Sequence, residues 1–308
     1  MKIYFLNYTF LIGYLEEALK ELGIDYKYNN HHDIEKIKLE ILAFKPDIVY
    51  RSVMFNCKMG LEYNDLSKWC MENGIKVLFW NIEDPNHFNS FIEQAVVSSQ
   101  VFTTASECVA KYIKAGCKDV GVSPLACSKK LHYYEDKPKI YDISLIANWY
   151  PCEARVEGIK WILTPLINAG FDVKIWGHKD KWLANGIPEK HLMGYISYSE
   201  VAKVYNQSKI VLGANEQLDS PTMTSMRPYE VLGCRAFHLS AWSMGMANMF
   251  QDGKHLVLSR DPKKTLELVR FYLANQEARD KIAEEGQKYV YEKHTYTHRL
   301  KEMLKIGN

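Results

Sequence analysis

Residues 213–237 read GANEQLDSPTMTSMRPYEVLGCRAF. They continue an apolar run, KIVLGA at 209–214, with the composition of a buried strand. A polar loop holding Glu216, Asp219, Ser220 and Pro221 follows, then Thr222-Met223-Thr224-Ser225, then a helix-forming run through Leu232. The hydroxyls of Thr222, Thr224 and Ser225 suit a helix cap. Such an end presents free backbone N–H groups and attracts phosphate. Arg227 adds a fixed guanidinium, and Glu230 one turn further on is a carboxylate able to accept from two ribose hydroxyls. Pro228 belongs in a first turn, which moves the expected helix start toward Met226. The plain alternative for this stretch alone is a capped helix with a surface Arg and Glu.

Outward from this stretch the same strand–loop–helix unit recurs. Strands are expected at 2–7, 25–29, 46–53, 75–80 and 101–105, with helices at 14–22, 34–44, 63–73, 89–97 and 107–115. The pattern stops at SPLACSKKLHYYEDKPK, a polar stretch with two prolines that reads as a linker. It resumes with strands at 141–147, 171–177, 209–214, 236–240 and 255–259 and helices at 155–169, 199–207, 227–232 and 243–250. The expected fold is therefore α/β: two Rossmann-like, doubly wound domains facing across a cleft. The domains span 1–130 and 138–285, and a helical tail, 286–308, crosses back onto the first. Ligands of such sheets bind beyond the carboxyl ends of the strands. The loops to inspect are 7–13, 53–60, 80–88, 148–155, 177–182 and 213–226.

Composition narrows the function classes. The chain of 308 residues is 47% hydrophobic and 13% aromatic, ample for two cores, and its net charge of +2 gives no polyanion-binding signature. Seven cysteines form no CxxC pair, which points to a reducing, cytoplasmic setting rather than disulfides or zinc. The apolar N-terminus lacks a small-residue cleavage site, and the run 236–250 is too short and polar to span a membrane. No Walker loop, Gly-x-Gly-x-x-Gly or Gly-x-Ser-x-Gly occurs, which weighs against NTPase, dehydrogenase and hydrolase chemistry. No Asp-x-Asp motif is present to bridge a metal to a diphosphate, and His294 and His298 lack the glutamate of a zincin helix.

Within the loops, each candidate residue has a plain alternative. Trp80-Asn81-Ile82-Glu83-Asp84-Pro85-Asn86-His87 follows a central strand. Asp84 is the first candidate for a general base, with Glu83 and His87 beside it, and Trp80, Asn81 and Phe55 are candidates for acceptor contact. The alternative is a turn broken by Asp-Pro. Arg155, in the first turn after NWYPCEAR, reads as a phosphate contact or a surface ion pair. Gly177 allows close ligand approach, and His178 beside it can touch a diphosphate or base; the alternative is a plain turn. Tyr195 and Ile196 offer backbone groups to a nucleobase edge.

The order of these segments (NWYPCEAR, WGH, GYISYSEVAKVYNQSKIVLGANE, MRPYEVLGCRAF and a helical tail with YTHRL) resembles GT-B glycosyltransferases, specifically the spore-maturation CgeB-like group. The resemblance covers about residues 140–305; in the first domain only the NIEDP loop is similar. It implies transfer of a sugar from a nucleoside-diphosphate donor, often a UDP-sugar, with no essential metal and no other cofactor. Thr222, Thr224, Ser225, Met226 and Arg227 would then hold the diphosphate, Glu230 the ribose, and Tyr195–Ile196 the base. Related retaining enzymes place a second Glu eight residues before the ribose-binding one. Thr222 stands there in this chain, so the stereochemical course does not carry over. A polysaccharide, a protein, a small molecule or a hydroxylated base in phage-type DNA are all compatible acceptors. A nucleotide-sugar epimerase and a non-catalytic nucleotide- or sugar-binding module are the alternative readings.

Overall fold

The computed structural model describes residues 1–6, 10–53 and 62–306. It divides into two compact units. The first comprises 1–125, 220–223 and the tail from Tyr296; the second comprises 126–219 and 224–295. Each is built on a six-stranded, wholly parallel sheet.

In the first unit the strands are β1 (Lys2–Phe5), β2 (Asp25–Tyr28), β3 (Ile48–Val53), β4 (Lys76–Asn81), β5 (Gln100–Thr103) and β6 (Val120–Val122), in spatial order β2-β1-β3-β4-β5-β6. The second unit uses β7 (Tyr141–Ile146), β8 (Val173–Trp176), β9 (Leu192–Gly194), β10 (Ser208–Gly213), β11 (His238–Ala241) and β12 (Val257–Ser259), in order β12-β11-β10-β7-β8-β9. Both orders reverse direction beside the first strand, as in doubly wound sheets. The strand-forming runs are nearly all apolar because helices cover both faces. Ile143, Leu145, Ile175, Ile210, Leu212 and Leu239 are each at most 1% exposed in the second unit's core, and Tyr4, Val49, Val77 and Phe79 are as deeply buried in the first.

Three local departures have physical causes. The helix expected over 155–169 is two helices, Glu153–Ile162 and Thr164–Asn168, because Pro165 cannot supply an N–H inside one continuous helix. β6 and β9, three residues each, were not expected; both are sheet edges, too short to carry a pattern. The helix after β10 is only Arg227–Gly233, with Pro228 in its first turn, so Thr222 to Ser225 lie before it and do not cap it. The last helix, Tyr296–Leu304, belongs to the first unit. Tyr296 packs edge-on to Tyr14 at 5.8 Å, and Arg299 donates to the carbonyls of Pro124 (2.8 Å) and Leu125 (3.2 Å). Among the described residues no helix is long and apolar enough to cross a membrane.

Candidate functional site

The carboxyl ends of β7 and β8 open into a cavity of about 140 Å³ in the second unit. Its walls come from three loops and one helix start. Ile146, Ala147 and Asn148 end β7; Trp176 and Gly177 end β8; Tyr195, Ile196, Tyr198 and Val201 follow β9; Arg227 opens the helix after β10. Gly177, Tyr195, Ile196 and Arg227, each singled out in the sequence, thus meet at one place. Gly177 has φ +154°, and a Cβ there would lie 2.2 Å from the Ala147 carbonyl oxygen. Only glycine lets the two loops approach this closely. Asn148 adds a tie: its Oδ1 accepts the His178 backbone N–H at 3.2 Å. His178 itself is exposed, its ring 6.4 Å from that of Tyr195.

Arg227 is the cation of this cavity. Its Nη1 donates to Glu230 Oε2 at 3.1 Å and to the Tyr205 hydroxyl. The Tyr205 hydroxyl also points at the same Glu230 oxygen, 3.5 Å away. Burial acts against the guanidinium charge, but Tyr205 and Glu230 outweigh it and raise the Arg227 pKa. The side chain keeps 23% of its surface exposed, whereas Glu230 keeps 2%. So Arg227 faces the cavity and Glu230 lies behind it. A cation on the wall of a partly apolar cavity is suited to an anionic group on a ligand whose uncharged part enters the cavity.

The other residues read from this half lie elsewhere. Arg155 is buried and donates from Nη2 to Glu216 Oε1 at 3.0 Å; it does not line the cavity. Thr222 belongs to the first unit, where its hydroxyl accepts from the Ser106 backbone N–H (2.8 Å) and donates to the Thr104 carbonyl (2.9 Å). Met223 beside it is buried among Phe79, Phe91, Val101 and Tyr112. Thr224 is buried and donates to the Tyr229 hydroxyl at 3.1 Å, while Ser225 and Met226 are partly exposed just before the helix.

In the first unit the loop after β4 is ordered by Asp84. This residue is 0% exposed. Its Oδ1 accepts from Asn81 Nδ2 at 2.8 Å; its Oδ2 accepts from the hydroxyls of Thr103 (2.6 Å) and Tyr112 (2.9 Å). Burial pushes its pKa up to about 6, against the lowering effect of the Thr103 and Tyr112 bonds. Both oxygens are occupied and no surface reaches solvent, so Asp84 braces the loop from inside. Trp80 and Asn81 are also 0% exposed: Trp80 donates to the Ser123 carbonyl (2.9 Å), and Asn81 donates to Asp84 and Tyr112. Neither presents surface to a ligand. Glu83 and His87 are half-buried at the loop's surface. Phe55 lies outside the described residues. Among the described residues no three His, Cys, Asp or Glu side chains converge as a metal site.

Several cavity residues carried no signal of their own. Tyr198 and Val201 sit in a helix whose period reads as packing, as does Tyr205 behind Arg227, and Trp176 reads as the end of a strand. Asn148 alone had a cue, since it is the first polar residue after β7.

The architecture has known counterparts. Sucrose-phosphate synthase from Thermosynechococcus elongatus superposes with a TM-score of 0.70 at 9% identity, covering 99% of this chain and 98% of that one. Anabaena Alr3699/HepE, in complex with UDP and glucose, gives 0.66 at 12% identity, covering 99% and 98%. A T4 phage BGT mutant in complex with UDP-glucose gives 0.61 at 12%, covering 99% and 100%. The chain has the GT-B glycosyltransferase fold. Residues 155–305 of this GT-B chain also match a family model described as glycosyl transferase-like, Glyco_trans_1_2. A comparison with curated protein sequences finds no match. The matched family segment contains the whole cavity wall from Trp176 to Arg227 and omits only its β7 edge.

Proposed function

We propose that this GT-B chain is a CgeB-like enzyme that transfers a sugar from a UDP-sugar to a hydroxyl acceptor and needs no metal ion. The observation that carries the reading is the cavity beyond β7 and β8 with Arg227 on its wall. Its size, about 140 Å³, is near that of cavities known to hold a single six-membered ring, as in a pyrimidine base. Tyr195, Ile196 and Tyr198 enclose the base, Gly177 lets the loops after β7 and β8 close up to form the wall, and Arg227 takes the diphosphate. The Ser225 and Met226 backbone adjoins the same phosphates, and Glu230, only 2% exposed and turned to Arg227, holds that guanidinium in place from behind instead of meeting the ribose. HepE and BGT hold UDP or UDP-glucose on the same fold, which agrees with this donor.

The transition state of such a transfer gathers negative charge on the leaving diphosphate, and a guanidinium already oriented by Glu230 and Tyr205 meets it without reorganisation. On the acceptor side, the proton of the attacking hydroxyl goes to Glu83 or His87, the two ionisable side chains of residues 81–88 with exposed surface. Asp84 keeps that loop in shape. The free, mostly buried cysteines suit a reducing, cytoplasmic setting.

The test is UDP release from UDP-sugars, in EDTA, with and without panels of glycan, peptide, small-molecule and hydroxymethylated-DNA acceptors. Acceptor-dependent release that EDTA leaves intact supports the proposal. Conversion of the donor to another UDP-sugar without acceptor contradicts it and points to an epimerase. Binding without turnover on every acceptor contradicts it in favour of a binding module.

A further inference from the structure

His132 lies in the polar stretch after the first unit's sheet, apart from every motif read from the sequence, yet it reaches the Arg227–Glu230 pair. Its side chain is 4% exposed. Nδ1 accepts the Ser128 backbone N–H at 3.2 Å, so the neutral ring carries its proton on Nε2. Nε2 faces Glu230 Oε1 at 3.9 Å, the oxygen opposite the one that Arg227 holds. That separation is longer than a hydrogen bond, but the field of an N–H dipole acts on a buried carboxylate with little screening.

The His132 backbone is fixed from both sides. The His132 backbone N–H donates to the Ser128 carbonyl at 2.8 Å, and its own carbonyl accepts from the Tyr291 hydroxyl at 2.7 Å. Gly233, three residues beyond Glu230, lets the stretch pack down: a Cβ there would lie 2.9 Å from the His132 Cβ. The order of contacts runs from Ser128 to His132, to Glu230, to Arg227.

We propose that His132 is a positioning residue for the donor diphosphate: its Nε2–H holds the Glu230 carboxylate in the orientation that aims Arg227 at the phosphates. The inference rests on the assignment of Arg227 to the diphosphate made above. The affinity ratio of UDP to uridine isolates the diphosphate contribution, because the base and ribose are common to both. Calorimetric binding of the two ligands to the full chain is compared for the wild type, Arg227→Ala, His132→Ala, His132→Gln and His132→Asn.

Arg227→Ala is expected to collapse the ratio. His132→Ala is expected to lower it roughly tenfold while uridine affinity is kept. The amide nitrogen of Gln stands near the place of Nε2 and restores the ratio; Asn reaches only the place of Nδ1, where its amide oxygen accepts the Ser128 N–H, and does not. An unchanged ratio in His132→Ala overturns the inference, as do equal ratios for the Gln and Asn variants, which decide the matter should His132→Ala fail to fold. A wild-type chain that binds UDP no better than uridine overturns the assignment of Arg227 instead.

Discussion

Asp84→Asn separates a buried brace from a catalytic base. The substitution keeps the shape of a side chain that is 0% exposed and held by Asn81, Thr103 and Tyr112. It removes one titration, in which burial lifts the carboxyl from 3.8 to about 6. The folded chain therefore holds this proton more tightly than the unfolded chain. The stability it contributes is full below pH 3.8, declines as the pH rises, and is gone above about 6. At about 1.4 kcal/mol per pH unit the whole term is roughly 3 kcal/mol, of which about 2.5 kcal/mol is lost between pH 4 and 7. The variant lacks the term, so its stability relative to the wild type should improve by about that amount across the same interval. Urea unfolding at half-unit pH steps measures this, with the first unit's transition followed by exchange labelling of peptides from β4 and β5. A stability difference that stays constant with pH would refute the reasoning, because Asp84 would then titrate as an exposed carboxyl. The same variant should retain turnover within a few-fold; loss of turnover at unchanged stability would return the base to Asp84.

Other substitutions probe the remaining parts. Gly177→Ala places a Cβ against the Ala147 carbonyl at a positive φ and should cost about 3 kcal/mol or more in the second unit's stability, read as a lowered unfolding midpoint. Met223→Ala empties a site among Phe79, Phe91 and Tyr112 and should destabilise the first unit by about 2–3 kcal/mol in denaturant melts. Glu83→Gln and His87→Ala, tested singly, should identify the base: the correct one lowers kcat by about 10²–10⁴ with the donor KM unchanged, and the other has little effect.

The alternation of strands and helices is legible because parallel strands buried on both faces must be apolar throughout, as KIVLGA at 209–214 and IKVLFW at 75–80 are. Their observed counterparts are Ser208–Gly213 and Lys76–Asn81. The cavity is legible to the same degree, since ligands gather at carboxyl ends of strands and Gly177, Tyr195, Ile196 and Arg227 all follow one. What a loop packs against is not local information. Thr222 and Met223 sit between two segments of the second unit, yet their partners, Thr104, Ser106 and Phe79, lie more than a hundred residues earlier. A carboxylate before a proline reads as an exposed turn, and only the tertiary positions of Thr103 and Tyr112 bury Asp84. His132 escapes for the same reason: a lone histidine in a polar linker has no pattern, and its significance comes from Glu230, 98 positions further on.

The central claim is a pyrimidine nucleoside diphosphate held by Arg227 at the ends of β7 and β8. A binding titration of UDP, GDP and ADP against the wild type and Arg227→Ala, each in EDTA, tests it most directly. The account predicts that UDP binds best, that EDTA leaves its affinity unchanged, and that Arg227→Ala weakens it at least tenfold. Preference for a purine nucleotide, or full UDP affinity in Arg227→Ala, would contradict it.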